Sequence, residues 1–210
     1  MALIVPRSID GDEQSILALH PGRITELVGS TGLGLTRLGL RLLAVPSVRW
    51  PVVALDVKGW LSPVAAWEVG VDPARLVVVR CPDPDRWTQL AAVLFEGVRA
   101  IYAEVPTTVR DQDLRRLAAL ARVRRVGVAL RPLGEGLPAG VAHLRLRATE
   151  VHWEGVDAGH GRLQSRHMVV EASGKAMAGM TRTIEMVDDG ADVVRLVPGM
   201  AVGEVRRAAG

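Results

Sequence analysis

Between Gly22 and Ala44 the sequence reads GRITELVGSTGLGLTRLGLRLLA, and Gly29, Gly34 and Thr36 stand at the spacing of a phosphate-binding loop, G-x-x-x-x-G-K-[ST], with Gly32 inside it. Such a loop turns backbone N–H groups toward phosphate oxygens, its lysine neutralises the outer phosphates and its hydroxyl takes a magnesium ion. Here the lysine position is Leu35. Two readings stay open: a tight strand-to-helix turn that keeps glycines for geometry alone, or a weakened anion site. Two carboxylates follow, Asp56 at the end of PVVALDV and Glu104 at the end of AIYAE. Carboxylates at strand ends can hold a metal at the C-terminal edge of a parallel sheet, or they can be neutralised by a neighbour, and adjacent Lys58 favours an ion pair.

Other groups carry weaker chemical signals. His152, Glu154, Asp157, His160 and His167 form a local cluster of metal-capable side chains, but their spacing matches no zinc pattern, and hairpin strands commonly present such residues to water. The pairs Arg115-Arg116, Arg124-Arg125 and Arg206-Arg207, with Arg145 and Arg147 on one strand face, offer either a nucleic-acid surface or a solvated or partner-facing one. No aromatic residues interleave them, which speaks against stacking on single strands. Trp67 and Trp87 occupy apolar helical positions and are expected in the core, whereas Trp60 follows Gly59 in a loop, where it can anchor a ligand or partner.

These residues need elements to hold them. Apolar runs at Ile24–Val28, 51–57, Leu76–Arg80, 100–104 and 126–130 read as buried strands, and helical patterns alternate with them. The first helix is closed by Pro46, the second begins at Ser62-Pro63 and ends at Gly70, the third is capped by Asp83 to Asp85 and ends at Gly97, and the fourth is capped by Thr107 and Thr108. That alternation predicts a mostly parallel α/β sheet flanked by helices. After residue 131 the pattern changes to period two at 142–147, 151–153, 165–172 and 180–187, which predicts an antiparallel extension, with DAGHG (157–161) as a hairpin turn. The organisation expected is a helical segment over 1–21, a core domain over 22–187 and a tail over 188–210 with a short strand at 193–197 and a helix ending at Arg206-Arg207.

Composition sets outer bounds. Aliphatic residues must fill the core, because 49% of the 210 residues are hydrophobic and only 3% are aromatic. A net charge of +3 permits anionic partners without requiring them. The single cysteine, Cys81, before Pro82, excludes an internal disulfide and a cysteine zinc cage, and is expected buried or half-buried. No apolar run reaches the length of a membrane span, so a cytoplasmic location without membrane association is expected.

In order and spacing, GRITELVGSTGLGLTRLGL, VVALDVKGWLSPVAAWEVGVDPARLVVVRCPD with its G-V-D-x-x-x-L segment, and RAIYAEV resemble the ATPase core of the RecA recombinase superfamily over roughly residues 20 to 187. The resemblance implies a RecA-like fold in which Thr36 matches the magnesium hydroxyl, Glu104 the Walker B aspartate and Lys58 the water-activating glutamate. A lysine ammonium cannot act as a general base, and loss of the loop lysine removes a charge-assisted contact worth about 1.5–3 kcal/mol. The segments after Glu104 and Arg131 are also too short for the family's DNA-gripping loops. No residue is therefore assigned a catalytic role. Gly29, Gly32, Gly34, Leu35 and Thr36 are read as a vestigial phosphate loop, and Asp56, Lys58 and Glu104 as its edge. No metal site or resident cofactor is expected beyond weak residual ATP and magnesium.

The reduced core resembles the ImuA and SulA-like accessory proteins. That resemblance implies a non-hydrolysing adaptor in the DNA-damage (SOS) response that supports error-prone translesion synthesis through contacts with a mutagenic polymerase complex, and with DNA only weakly. A nucleotide-gated or very slow ATPase and a DNA-surface binder are the alternatives.

Overall fold

A computed structural model describes residues 16–157, 160–188 and 195–198. Nine strands form one sheet: β1 (Ile24–Val28), β2 (Val52–Asp56), β3 (Leu76–Arg80), β4 (Ala100–Val105), β5 (Gly127–Pro132), β6 (Leu144–Asp157), β7 (His160–Ser173), β8 (Arg182–Asp188) and β9 (Arg195–Pro198). Their spatial order is β3-β2-β4-β5-β1-β6-β7-β8-β9. Every pair from β3 to β6 is parallel and every pair from β6 to β9 antiparallel, as the change of sequence pattern after residue 131 requires. The fold is therefore the expected α/β architecture, with a mostly parallel sheet and an antiparallel part toward the C-terminal side.

Among the described residues the α-helices α1 (Leu35–Arg41), α2 (Ala44–Ser47), α3 (Pro63–Trp67), α4 (Pro84–Gly97) and α5 (Asp111–Arg124) cover its two faces. Strand alternation sorts the apolar side chains. Val52 and Ala54 of β2 and Tyr102 of β4 join Leu35, Leu38 and Ala66 of α1 and α3 in one core. Val53, Leu55, Ile101 and Ala103 join Trp87 and Phe95 of α4 and Leu114 and Leu117 of α5 in the other. Asp56, Glu104 and Arg131 continue the register of Ala54, Tyr102 and Ala129, so all three end on the face covered by α1.

Local chemistry moves several boundaries. Pro46 does not close the first helix but lies within the short α2, where a first-turn residue needs no backbone donor. Residues 106–109 form a turn closed by Val109 N–H on the Pro106 carbonyl, so α5 starts at Asp111 rather than at a threonine cap, with Asp111 and Asp113 favourable in its first turn. Residues 144–147 and 151–153 belong to one strand, β6, in which register shifts fall between Ala148 and Glu150 and between Glu154 and Val156. Asp157 pairs with His160 across the expected hairpin. β9 pairs with β8, so the sheet continues into the segment read as a tail. Most of the N-terminal helical segment and the helix ending at Arg206-Arg207 lie outside the described residues. Trp87 is fully buried as expected, but Trp67 is 44% exposed, because the short α3 points Ala66 inward instead. Cys81 is buried, and burial pushes its thiol pKa up.

Candidate functional site

The glycine loop has the backbone its sequence asks for. Gly29, Gly32 and Gly34 have φ of 153°, 91° and 77°, values that L side chains rarely adopt. A Cβ on Gly29 would sit 2.8 Å from the Ala148 carbonyl oxygen of β6, and one on Gly34 would sit 2.5 Å from a guanidinium nitrogen of Arg166, delivered by β7. The loop is thus pressed against β6 and β7. Leu35 turns into the core, 4% exposed, where an aliphatic side chain is favoured and an ammonium would lose its hydration.

Beyond the loop lies a chain of polar contacts. Arg131, at the end of β5, donates from Nη1 to Thr36 Oγ1 at 2.6 Å and to Glu104 Oε1 at 3.1 Å. Glu104 is fully buried. It also accepts from Trp60 Nε1 at 2.9 Å and from the backbone N–H groups of Val57 at 3.1 Å and Lys58 at 3.3 Å. Asp56, equally buried, accepts from the N–H groups of Gly59 at 2.8 Å and Leu61 at 3.1 Å, with Arg80 Nε 4.0 Å away. The 57–61 loop therefore folds back onto both carboxylates. Tyr102 lies beneath, its ring against Gly39 of α1, where no Cβ would fit. Its hydroxyl pKa is pushed up to about 12, first by burial and then by the Glu104 charge.

The expected ion pair to Lys58 is corrected by this geometry. Lys58 contributes its backbone N–H, and the cation that neutralises Glu104 is Arg131. A metal at Asp56 and Glu104 is disfavoured for the same reason, since both carboxylates already accept several donors. Gly29, Gly32, Gly34, Leu35, Thr36, Asp56, Lys58 and Glu104 do come together at one edge of the sheet. Thr36 and Glu104 are joined by one guanidinium, held where the family resemblance would put a magnesium ion.

The parallel half that carries all of these residues also carries the family relationship. The family described as the MT3502 N-terminal domain matches residues 17–138, more than half of the chain. The chain belongs to the MT3502 N-terminal domain family. No curated protein matches it. Among solved structures it is similar to one titled "Crystal structure of the RadB recombinase", with a TM-score of 0.59 and 15% identity, covering 85% of this chain and 96% of that one. At that identity the likeness concerns the fold, which is a RecA-like core. The MT3502 N-terminal domain match ends before β6, so the antiparallel strands that press on the loop lie outside it.

Sequence reasoning missed Arg131, Arg166 and Glu26. Glu26 is fully buried in β1, accepting from Leu137 N–H at 2.6 Å and Arg145 Nε at 2.7 Å, and so ties the 133–143 connection to the sheet. Arg166 faces Trp153 with its guanidinium carbon 5.6 Å from the ring centroid. Burial lowers its pKa against the charge of Asp188. For Arg131 a signal existed: β4 and β5 are adjacent, and both end on a charge, Glu104 opposite Arg131.

The weaker candidates do not converge among the described residues, and the side chains of Asp157 and His160 lie outside these. His152 pairs with Glu150, while His167 lies between Glu154 and Glu185. Among the described residues no group of three or more metal-capable side chains converges. Arg115, Arg116 and Arg124 pair with Asp111, Asp113 and Glu96 at the surface. No helix among the described residues is long and apolar enough to cross a membrane.

Proposed function

We propose that this chain is a non-hydrolysing RecA-like adaptor of the DNA-damage response, supporting error-prone translesion synthesis through protein contacts with a polymerase complex. The observation that carries the non-hydrolysing part is Arg131, whose guanidinium bridges Thr36 and Glu104 and so supplies from within the charge that a magnesium nucleotide would bring. With Leu35 in the core and Lys58 at the water-activating position, neither phosphate neutralisation nor proton abstraction has a residue to perform it. The pathway rests on the resemblance to the ImuA and SulA-like proteins. The similarity to a solved structure titled as a recombinase is compatible with a role in DNA metabolism.

A fluorescent ATP analogue titrated with and without magnesium tests the first part. No saturation below about millimolar concentration is expected, since the missing lysine alone weakens binding about ten- to hundredfold. Micromolar, magnesium-dependent affinity would overturn it. The pathway is tested by deleting the gene and measuring damage-induced mutation frequency, which should fall, and an unchanged frequency would refute it. A second reading, a nucleotide-gated switch, is favoured by one observation: Arg166 brings a cation against Gly34 from outside the loop, as a substitute for the lysine. In that case the analogue binds and an Arg166→Ala variant loses it.

A further inference from the structure

At the opposite edge of the sheet, where β1 and β6 begin, the turn over residues 20–23 packs on the end of α5. Gly22 has φ of 75°, and a Cβ there would lie 3.3 Å from the Arg122 Cα, so this close approach sets Arg23 beside Arg122. His143 is fixed by its N–H on the Ile24 carbonyl at 2.8 Å. Its own carbonyl accepts from Ala176 N–H at 3.0 Å, which brings Lys175 alongside. Arg23, Arg122, His143 and Lys175 line one cleft. Arg23 and His143 also line a cavity of about 450 Å³, whose apolar wall includes Leu144, Met177 and Met180.

No carboxylate lines either space among the described residues. Among the described residues no ion pair includes Arg23, Arg122 or Lys175, and all three are exposed. The charges act together: the His143 pKa is lowered by burial first, and then by Arg23, His20 and Lys175. Among the described residues the lining contains no Phe, Tyr or Trp ring on which a base could stack. It does contain methionines, which adapt to varied apolar side chains.

We propose that this groove docks an acidic segment of a partner protein, with its carboxylates on Arg23, Arg122 and Lys175 and an aliphatic side chain in the methionine-walled cavity. The proposal takes the partner to be a protein, as the adaptor reading does, and names the surface it uses. Charge complementarity identifies the occupant, because cations gathered with no carboxylate among the described lining residues favour an anionic partner and raise its association rate.

The test uses the full chain and fluorescence anisotropy with a labelled dodecapeptide of repeating Asp-Asp-Leu. Binding should be saturable and should weaken as salt rises from about 0.05 to about 0.3 M. It should weaken about tenfold or more in Arg23→Glu/Lys175→Glu, and about fivefold when serine replaces leucine in the peptide. Both variant residues are exposed, and the serine peptide leaves the protein untouched, so the result does not depend on folding of a variant. Absence of binding, indifference to the charge reversal or to leucine, or tighter binding of an oligothymidylate of equal charge would each overturn the proposal. Its failure is separable from failure of the adaptor reading: nucleotide binding that leaves the peptide affinity intact refutes the latter alone, and loss of peptide binding with an inert loop refutes the former alone.

Discussion

Where β2, β4 and β5 end, Asp56, Glu104 and Arg131 are held by donors and acceptors of their own chain; where β1 and β6 begin, Arg23, Arg122 and Lys175 line a cleft with no carboxylate among the described residues. The first edge has the sequence of a ligand site and the second has none. Motif spacing reports where backbone and side chains can converge. Availability depends on whether the converging charges are already paired. A carboxylate that accepts four hydrogen bonds in the interior has little left to offer a metal, whereas exposed cations without partners retain their full attraction for an anion.

Removing Arg131 probes this contrast most strongly. Arg131→Ala leaves the buried Glu104 carboxylate without its cation, and breaking a buried pair on one side costs about 3–5 kcal/mol. Arg23→Ala at the other edge should change stability by no more than about 0.5 kcal/mol, as exposed substitutions do. Urea unfolding of the two variants gives the comparison, and similar losses would erase it. A smaller effect is expected from Trp60→Phe, which keeps a ring in the 57–61 loop but removes the indole donor to Glu104. About 1 kcal/mol should be lost, less than the usual value for a bond to a charged group because the indole is 57% exposed. If Trp60→Phe matched Arg131→Ala, hydrogen bonding rather than charge would be what closes the site.

The difference between the edges also explains what could be read in the sequence. Strand and helix order was legible because apolar periodicity and glycine or proline boundaries are local. The loop's glycines were legible because their conformations are set within a few residues. Arg131 lies 95 positions from Thr36, and its role depends on β5 lying beside β4, which the chain order alone does not specify. Lys58 was the nearer cation in sequence, but nearness along the chain placed only its backbone at the carboxylate. The register shift between Ala148 and Glu150 divides β6 into the two runs 142–147 and 151–153 seen in the sequence, because an extra residue breaks the two-residue period. The groove is less legible still, since its cations come from the 20–23 turn, α5, the approach to β6 and the turn after β7, and no motif links them.

The smallest expected effect sets the groove apart by sign from a histidine on β7. His143, among the cations, has its pKa lowered below the usual 6.5 by burial and by Arg23, His20 and Lys175. His167, with Nδ1 3.2 Å from Glu185 and Nε2 3.3 Å from Glu154, has its pKa raised above that value, first by the Glu185 hydrogen bond. Between the depressed folded value and 6.5, the unfolded chain binds more protons at His143 than the native one, so stability from this residue is lost as pH falls through that window. At His167 the native state binds more. Its contribution is fully present below 6.5 and is lost as pH rises through the elevated folded value. NMR titration of the two imidazoles should give midpoints on opposite sides of 6.5, and a reversed order would remove the electropositive character assigned to the groove. Arg23→Ala sharpens the result: it should move His143 upward by deleting one repelling charge and leave His167 where it was, because Arg23 is not among the groups that shift the second histidine.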